Sequence, residues 1–163
     1  MNDVFFGTSD PGTTLRYNFY CKNKDLLLEN VKSTGCIFYT GTGSSAWVKT
    51  MNNSSFDTIS KILRIYDKSV TRKTVNDIYE QYINSTVFDP REPKLGYLHR
   101  ELYYNKHGLK ESEGYGDEFL VTIDSTNAFM AFDGLHYDLE RGVEITISIN
   151  DEYDLNCFSF TDQ

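Results

Sequence analysis

Paired cysteine is missing from this sequence. Its 163 residues hold three cysteines, Cys21, Cys36 and Cys157, odd in number, widely spread, and never at C-x-x-C spacing. That excludes a disulfide framework and a thiolate zinc site, and leaves three reduced structural thiols as the simplest reading. No apolar run approaches the roughly 18 residues that a membrane-spanning helix needs. Residues 1–6 show no basic stretch followed by an apolar one, so no secretion signal is read, and the sequons at Asn52, Asn53 and Asn84 are taken as chance. Basic residues are in deficit, 16 Lys and Arg against 24 Asp and Glu, for a net charge of −8. Nucleic-acid binding rests on Lys and Arg, so a phosphate-backbone partner is excluded. A nucleotide is not, because it needs only a few local donors. Internal repeats and low-complexity tracts are also absent.

Aromatic residues are abundant, with twelve Tyr and eleven Phe in a total aromatic share of 15%. They fit the half-buried pleated surface of strands. Leu15, Tyr17, Phe19 and Cys21 alternate with polar residues, as do Val143, Ile145, Ile147 and Ile149. Each alternation predicts a strand with one buried face. The second of these runs over residues 142–149, and further strands are expected over residues 4–6, 26–31, 36–40, 95–101, 118–124, 128–132 and 135–139, with a polar loop over 105–116. Phe56, Ile59, Ile62, Leu63 and Tyr66 form one helical stripe, and Val75, Ile78, Tyr79, Tyr82 and Ile83 a second. Ser54 or Ser55 is the expected cap of the first helix and Thr74 of the second. Pro90 and Pro93 then stop helical structure. The fold expectation is α+β: one domain, a β-sandwich with a two-helix insert over about residues 54–86.

The most informative stretch is Gly35-Cys36-Ile37-Phe38-Tyr39-Thr40-Gly41-Thr42-Gly43-Ser44-Ser45-Ala46-Trp47. An apolar strand enters a turn rich in glycine and hydroxyl groups, where a helix is expected to start. Glycine lets backbone approach a ligand closely. A helix start offers unpaired N–H groups and partial positive charge, which suit a phosphate or a ribose. A Gly/Ser turn that merely caps a helix has the same composition. The stretch is neither a P-loop, since no Lys follows the glycines, nor the G-x-G-x-x-G dinucleotide pattern.

This stretch resembles the Gly-rich strand-to-helix motif of NAD kinases, T-P-T-G-S-T-A-Y. Its variant, Thr40-Gly41-Thr42-Gly43-Ser44-Ser45-Ala46-Trp47, is similar to the animal mitochondrial branch, with Gly for Pro and Trp for Tyr. Three more matches stand in the same order. Asn2-Asp3-Val4-Phe5-Phe6 resembles the family's Asn-Glu/Asp motif entering a strand. Residues 82–94, ending Phe88-Asp89-Pro90-Arg91-Glu92-Pro93-Lys94, resemble that branch's helix and Pro-Glu-Glu-Pro-Lys-like turn. Phe132-Asp133-Gly134, with Arg141-Gly142-Val143-Glu144-Ile145, resembles an Asp-Gly turn and a Gly-led strand near the family's C-terminus.

The resemblance implies a kinase that moves the γ-phosphoryl of ATP, with Mg²⁺, to the adenosine ribose 2′-hydroxyl of NAD, giving NADP. It implies the carboxy-terminal, NAD-binding domain, residues 1–163. The family's Gly-Gly-Asp-Gly motif, which carries the expected catalytic base, belongs to an amino-terminal α/β domain and does not occur here. The chain alone is therefore expected to be inactive, with no catalytic or metal-binding residue of its own. Carried over, Asn2 and Asp3 would meet the adenosine and its ribose. Thr42, Gly43, Ser44, Ser45 and Ala46 would line that pocket with Trp47 beside it, and Asp133 would lie near the second nucleoside or a subunit contact. A homodimer, or a dimer with full-length kinase, and a mitochondrial location are implied in the same way. Thr34 stands where many members have Asp, which puts nicotinamide recognition in doubt. A non-catalytic nucleotide-binding or dimerisation module is the alternative.

The other polar features have simple readings. Arg100 is expected in a surface ion pair, His136 as a satisfied structural histidine, and His107 in a solvated loop. Asp117, Glu118 and Asp124 read as a solvated strand edge.

Overall fold

The computed structural model describes residues 2–10, 12–51, 54–103, 111–132 and 134–149. The strands expected from alternation pair into two antiparallel sheets. Strands β1 (Asp3–Thr8), β4 (Gly35–Tyr39), β5 (Leu95–Arg100), β6 (Glu113–Gly116), β8 (Ala128–Phe132) and β9 (Leu135–Leu139) make the first, in the order β6-β5-β4-β1-β8-β9. Strands β2 (Leu15–Cys21), β3 (Leu26–Ser33), β7 (Glu118–Ile123) and β10 (Glu144–Ser148) make the second, in the order β10-β7-β2-β3. The fold is α+β, as the sequence predicts.

The period of two dictates what lies between the sheets. Leu15, Tyr17, Phe19 and Cys21 of β2 are fully buried, while Arg16 and Asn18 between them are exposed. From the first sheet Val4, Phe6, Cys36, Phe38 and Tyr97 meet them. Phe6 stands edge-on to Tyr17 with ring centroids 4.9 Å apart, a favoured aromatic geometry. Polar groups sit in this core at Ser33 and His99, joined through the Tyr17 hydroxyl. His99 is 3% exposed and its Nδ1 lies 2.7 Å from the Tyr17 hydroxyl. Among the described residues its Nε2 has no partner. Burial disfavours the imidazolium and brings the His99 pKa down to about 4.

The first sheet is covered on its outer face as well. Phe5, Ile37 and Tyr39 point that way and pack with Val48, Phe88 and Leu98 in a second core. This is why β4 is buried at all five positions. The cover comes from two short helices, α1 (Gly41–Ser44) and α2 (Trp47–Met51), and from the segment around Phe88.

The insert is a helical hairpin of α3 (Phe56–Tyr66) and α4 (Arg72–Ser85). Ser55 caps α3, its Oγ accepting the Thr58 amide at 3.1 Å. The cap of α4 is Thr71, not Thr74, with Oγ1 accepting the Thr74 amide at 3.2 Å. The apolar stripe begins only at Val75, so the polar first turn of α4 hides its start in the sequence. The region expected as a polar loop over 105–116 also holds strand β6, which pairs Leu95 with Gly116.

Candidate functional site

The glycine-rich turn is built by the end of β4. Thr40 leaves the strand extended and caps α1, its Oγ1 accepting the Gly43 amide at 3.3 Å. The same residue ties the turn to the chain start, since its amide and hydroxyl both donate to the Asn2 carbonyl. A Cβ on Gly43 would run into that carbonyl, so glycine is required there by close approach. Asn2 and the turn therefore lie at one end of the first sheet, with Asp3 paired opposite Tyr39.

The residues predicted to line a nucleotide pocket divide into two sets. Asn2, Thr42, Ser45, Ala46 and Trp47 are exposed around the turn, and Asp3 is half-buried. Ser45 donates to the Thr42 carbonyl at 3.1 Å, which fixes its hydroxyl on this surface. Gly43 and Ser44 are buried. The Ser44 hydroxyl donates to the Gly41 carbonyl at 2.6 Å and accepts the Phe88 amide, so it holds the turn onto the body. Asp133 lies outside the described residues, as do His107 and Cys157. Phe132 pairs with Val4, so β8 ends at the same end of the sheet as Asn2.

The helix start does not face open solvent. A Cβ on Gly41 would strike the Asp89 carbonyl and Pro90, so the first turn of α1 abuts backbone there. Asp89 is itself engaged by Arg91, whose hydrogen bonds bring its carboxyl pKa down to about 2. The exposed surface is instead the flank of hydroxyls and amides that ends at Trp47.

An aromatic row extends this flank, and sequence reasoning missed it. The Trp47 ring, 43% exposed, lies 5.2 Å from the Phe5 ring. Phe5 meets Phe129 at 5.8 Å, and Phe129 stacks on His136 at 4.6 Å. The four come from α2, β1, β8 and β9, neighbours only in the folded sheet. The one sequence signal was Val4-Phe5-Phe6, an unbroken apolar run that marks a strand covered on both faces. His136 is exposed at this edge, with Phe129 stacked on its ring and Asp138 3.4 Å from its Nε2. Arg100 forms no ion pair among the described residues and lines a pocket of about 350 Å³ with Trp47, Thr50, Met51 and Glu101. Glu118 and Asp124, read as solvated carboxylates, are paired with Lys22 and Arg141. No group of three or more His, Cys, Asp or Glu suited to a metal ion occurs among the described residues.

Known proteins give a consistent picture. No family model matches the chain. It is 28% identical over 132 residues to NAD kinase 2, mitochondrial, of Xenopus tropicalis, covering 76% of this chain and 31% of that protein. To the Homo sapiens protein of the same name it is 26% identical over 164 aligned positions, covering 95% of this chain and 36% of the relative. The chain thus spans about a third of the length of the curated relatives it matches. In fold it is similar to yeast NADH kinase complexed with NADH, with a TM-score of 0.58 at 15% identity, covering 90% of this chain and 33% of the other. An NAD kinase from Archaeoglobus fulgidus in complex with ATP gives 0.57 at 14% identity, covering 92% and 45%.

Proposed function

The chain falls with the NAD kinases in sequence and in fold, and from that premise we propose that it supplies the NAD-binding, carboxy-terminal part of such an enzyme. The activity proposed for the whole is transfer of the ATP γ-phosphoryl, with Mg²⁺, to the adenosine ribose 2′-hydroxyl of NAD. Asn2, Asp3, Thr42, Ser45 and Ala46 would hold the adenosine and its ribose, with Trp47 alongside, and Asp133 would serve the second nucleoside or a subunit contact. Gly43 serves by letting the turn close on Asn2, and Ser44 by anchoring the turn from within.

The observation that carries this reading is the seat of Gly43 on the Asn2 carbonyl. It joins two motifs that are 41 positions apart in the chain (43 − 2) into one polar flank. A ribose presents paired hydroxyls, and this flank presents a hydroxyl at Ser45, a carboxylate at Asp3 and an amide at Asn2. Phosphoryl transfer asks mainly for positioning and charge stabilisation. This chain would do the positioning, while the base and phosphate cradle come from the Gly-Gly-Asp-Gly domain. A positioned general base contributes roughly two to four orders of magnitude in rate. The chain alone is therefore expected to form no measurable NADP.

A homodimer and a mitochondrial location are proposed with it. The compartment follows the names of the relatives. The dimer is supported by α3, where Ile62, Ile65 and Tyr66 are 59%, 85% and 92% exposed. Ile65 and Tyr66 lie three and four positions after Ile62, so the three share one face of α3.

The test is an assay of NADP formation by this chain alone and with a Gly-Gly-Asp-Gly domain added in trans, alongside calorimetric titration with NAD. Activity restored only in the mixture supports the proposal. Failure to bind NAD at millimolar concentration in both arms would count decisively against it.

A further inference from the structure

A second polar basin lies at the other end of β1. Five residue steps separate Asp3 from Thr8, roughly 16 Å at a strand's rise. Three segments meet there, residues 9–10 with 12–14, residues 124–127 and residues 140–143. Ser9 donates from its amide and hydroxyl to the Asn127 carbonyl at 2.9 and 3.1 Å. The Arg16 amide donates to the Ser125 hydroxyl at 2.7 Å, and the Gly142 amide to the Ile123 carbonyl at 2.7 Å. The segments are thereby locked together around a pocket of about 360 Å³.

Every residue lining this pocket is polar, including two guanidinium groups, Arg16 and Arg141, and the hydroxyls of Thr13, Thr14, Ser125 and Thr126. Arg141 places Nε and Nη2 on Asp124 Oδ1 at 2.8 and 2.7 Å. Arg16 has no ion pair among the described residues. It stands directly across from Lys32 in the β2–β3 register. Like charges in that relation repel. The pocket lining holds two guanidinium groups and one carboxylate, a net charge of +1 (2 − 1), in a chain whose net charge is −8.

We propose that this basin binds a phosphate-type oxyanion, with Arg16 and Arg141 as its charged donors and the hydroxyls of Thr14, Ser125 and Thr126 completing its shell, the Thr13 hydroxyl being held by the Asp10 carbonyl. Guanidinium groups match such oxyanions in geometry as well as charge. An oxyanion offers Arg16 the counter-charge that it lacks in any ion pair among the described residues and offsets the Arg16–Lys32 repulsion. Inorganic phosphate and the terminal phosphate of a nucleotide share this chemistry. The site is separate from the adenosine flank at Asn2 and does not depend on it.

The experiment is a titration of the full chain by amide NMR at pH 7.5, with ionic strength held constant by sodium chloride. One arm uses inorganic phosphate and the other AMP. Saturating shifts at Thr13, Thr14, Ser125 and Thr126 are expected at millimolar ligand. Response to phosphate assigns the basin to the free ion; response to AMP at these amides alone assigns it to a nucleotide phosphate. Arg16→Gln and Arg141→Gln, each folded by its own spectrum, should raise the half-saturation concentration about tenfold. Lys68→Ala, on the distant hairpin, should leave it unchanged. Shifts that follow sodium chloride equally, no shift in either arm, or wild-type binding by both arginine variants would overturn the proposal.

Discussion

The hydroxyl of Ser44 accepts the amide of Phe88 at 3.3 Å, tying the glycine-rich turn to the segment that follows the helical insert, 44 residues later. Phe88 in turn packs on Tyr39, ring centroids 5.9 Å apart, at the end of the strand that delivers the turn. The turn is thus held from below by a buried hydroxyl and from the side by the chain start.

Ser44→Ala should separate stability from binding. It leaves a buried amide without its acceptor, which costs about 1–3 kcal/mol. Denaturant midpoints should fall accordingly, while NAD affinity in the folded fraction stays within about twofold.

Asn2→Ala and Ser45→Ala should do the reverse. Both side chains are exposed, so stability should change by less than about 0.5 kcal/mol. Loss of one ligand hydrogen bond, about 1 kcal/mol, should weaken NAD about fivefold in calorimetry. Unaltered affinity in both would remove the chain start and the turn from the site.

Gly43→Ala should damage both properties. The added methyl meets the Asn2 carbonyl, and overpacking of this kind costs about 1–3 kcal/mol. A variant as stable as wild type, with wild-type affinity, would show that the turn tolerates separation from Asn2.

Trp47 is the only tryptophan in the chain and is partly exposed beside the proposed adenosine flank. NAD titration should change its fluorescence saturably, with the same midpoint as calorimetry. Phe5→Leu removes the ring beneath Trp47 and should shift its emission before any ligand is added.

His99 predicts the acid response. Its folded pKa of about 4 lies below the ordinary 6.5, so the unfolded chain takes up the proton first. Stability from this group is complete above about pH 6.5 and declines as pH falls toward 4. The loss is about 3 kcal/mol at most. Urea midpoints from pH 7.5 to 4.5 should fall more steeply for wild type than for His99→Gln; equal slopes would refute the assignment.

The strands were legible because alternation is a local property. Leu15 to Cys21 announces its buried face without reference to any partner. The two motifs that meet at Gly43 were legible by resemblance, but their contact was not, because nothing in a linear pattern pairs position 2 with position 43. The Phe5, Phe129 and His136 row was illegible for the same reason: its members are neighbours only across strands. Thr71 escaped notice because a helix that opens with three polar residues gives its periodicity no starting mark. Ser44 and Ser45 were indistinguishable in sequence, and only the fold turns one hydroxyl inward and the other out.

The central place of β1 in its sheet bears on how the molecule is made. Val4 hydrogen-bonds in register with Phe38 on one side and with Phe132 on the other. β1 must therefore wait, one edge bare, until β8, some 120 residues further along (128 − 8), has left the ribosome. Such long loop closures slow folding, and an unsatisfied apolar edge invites pairing with strangers in the meantime.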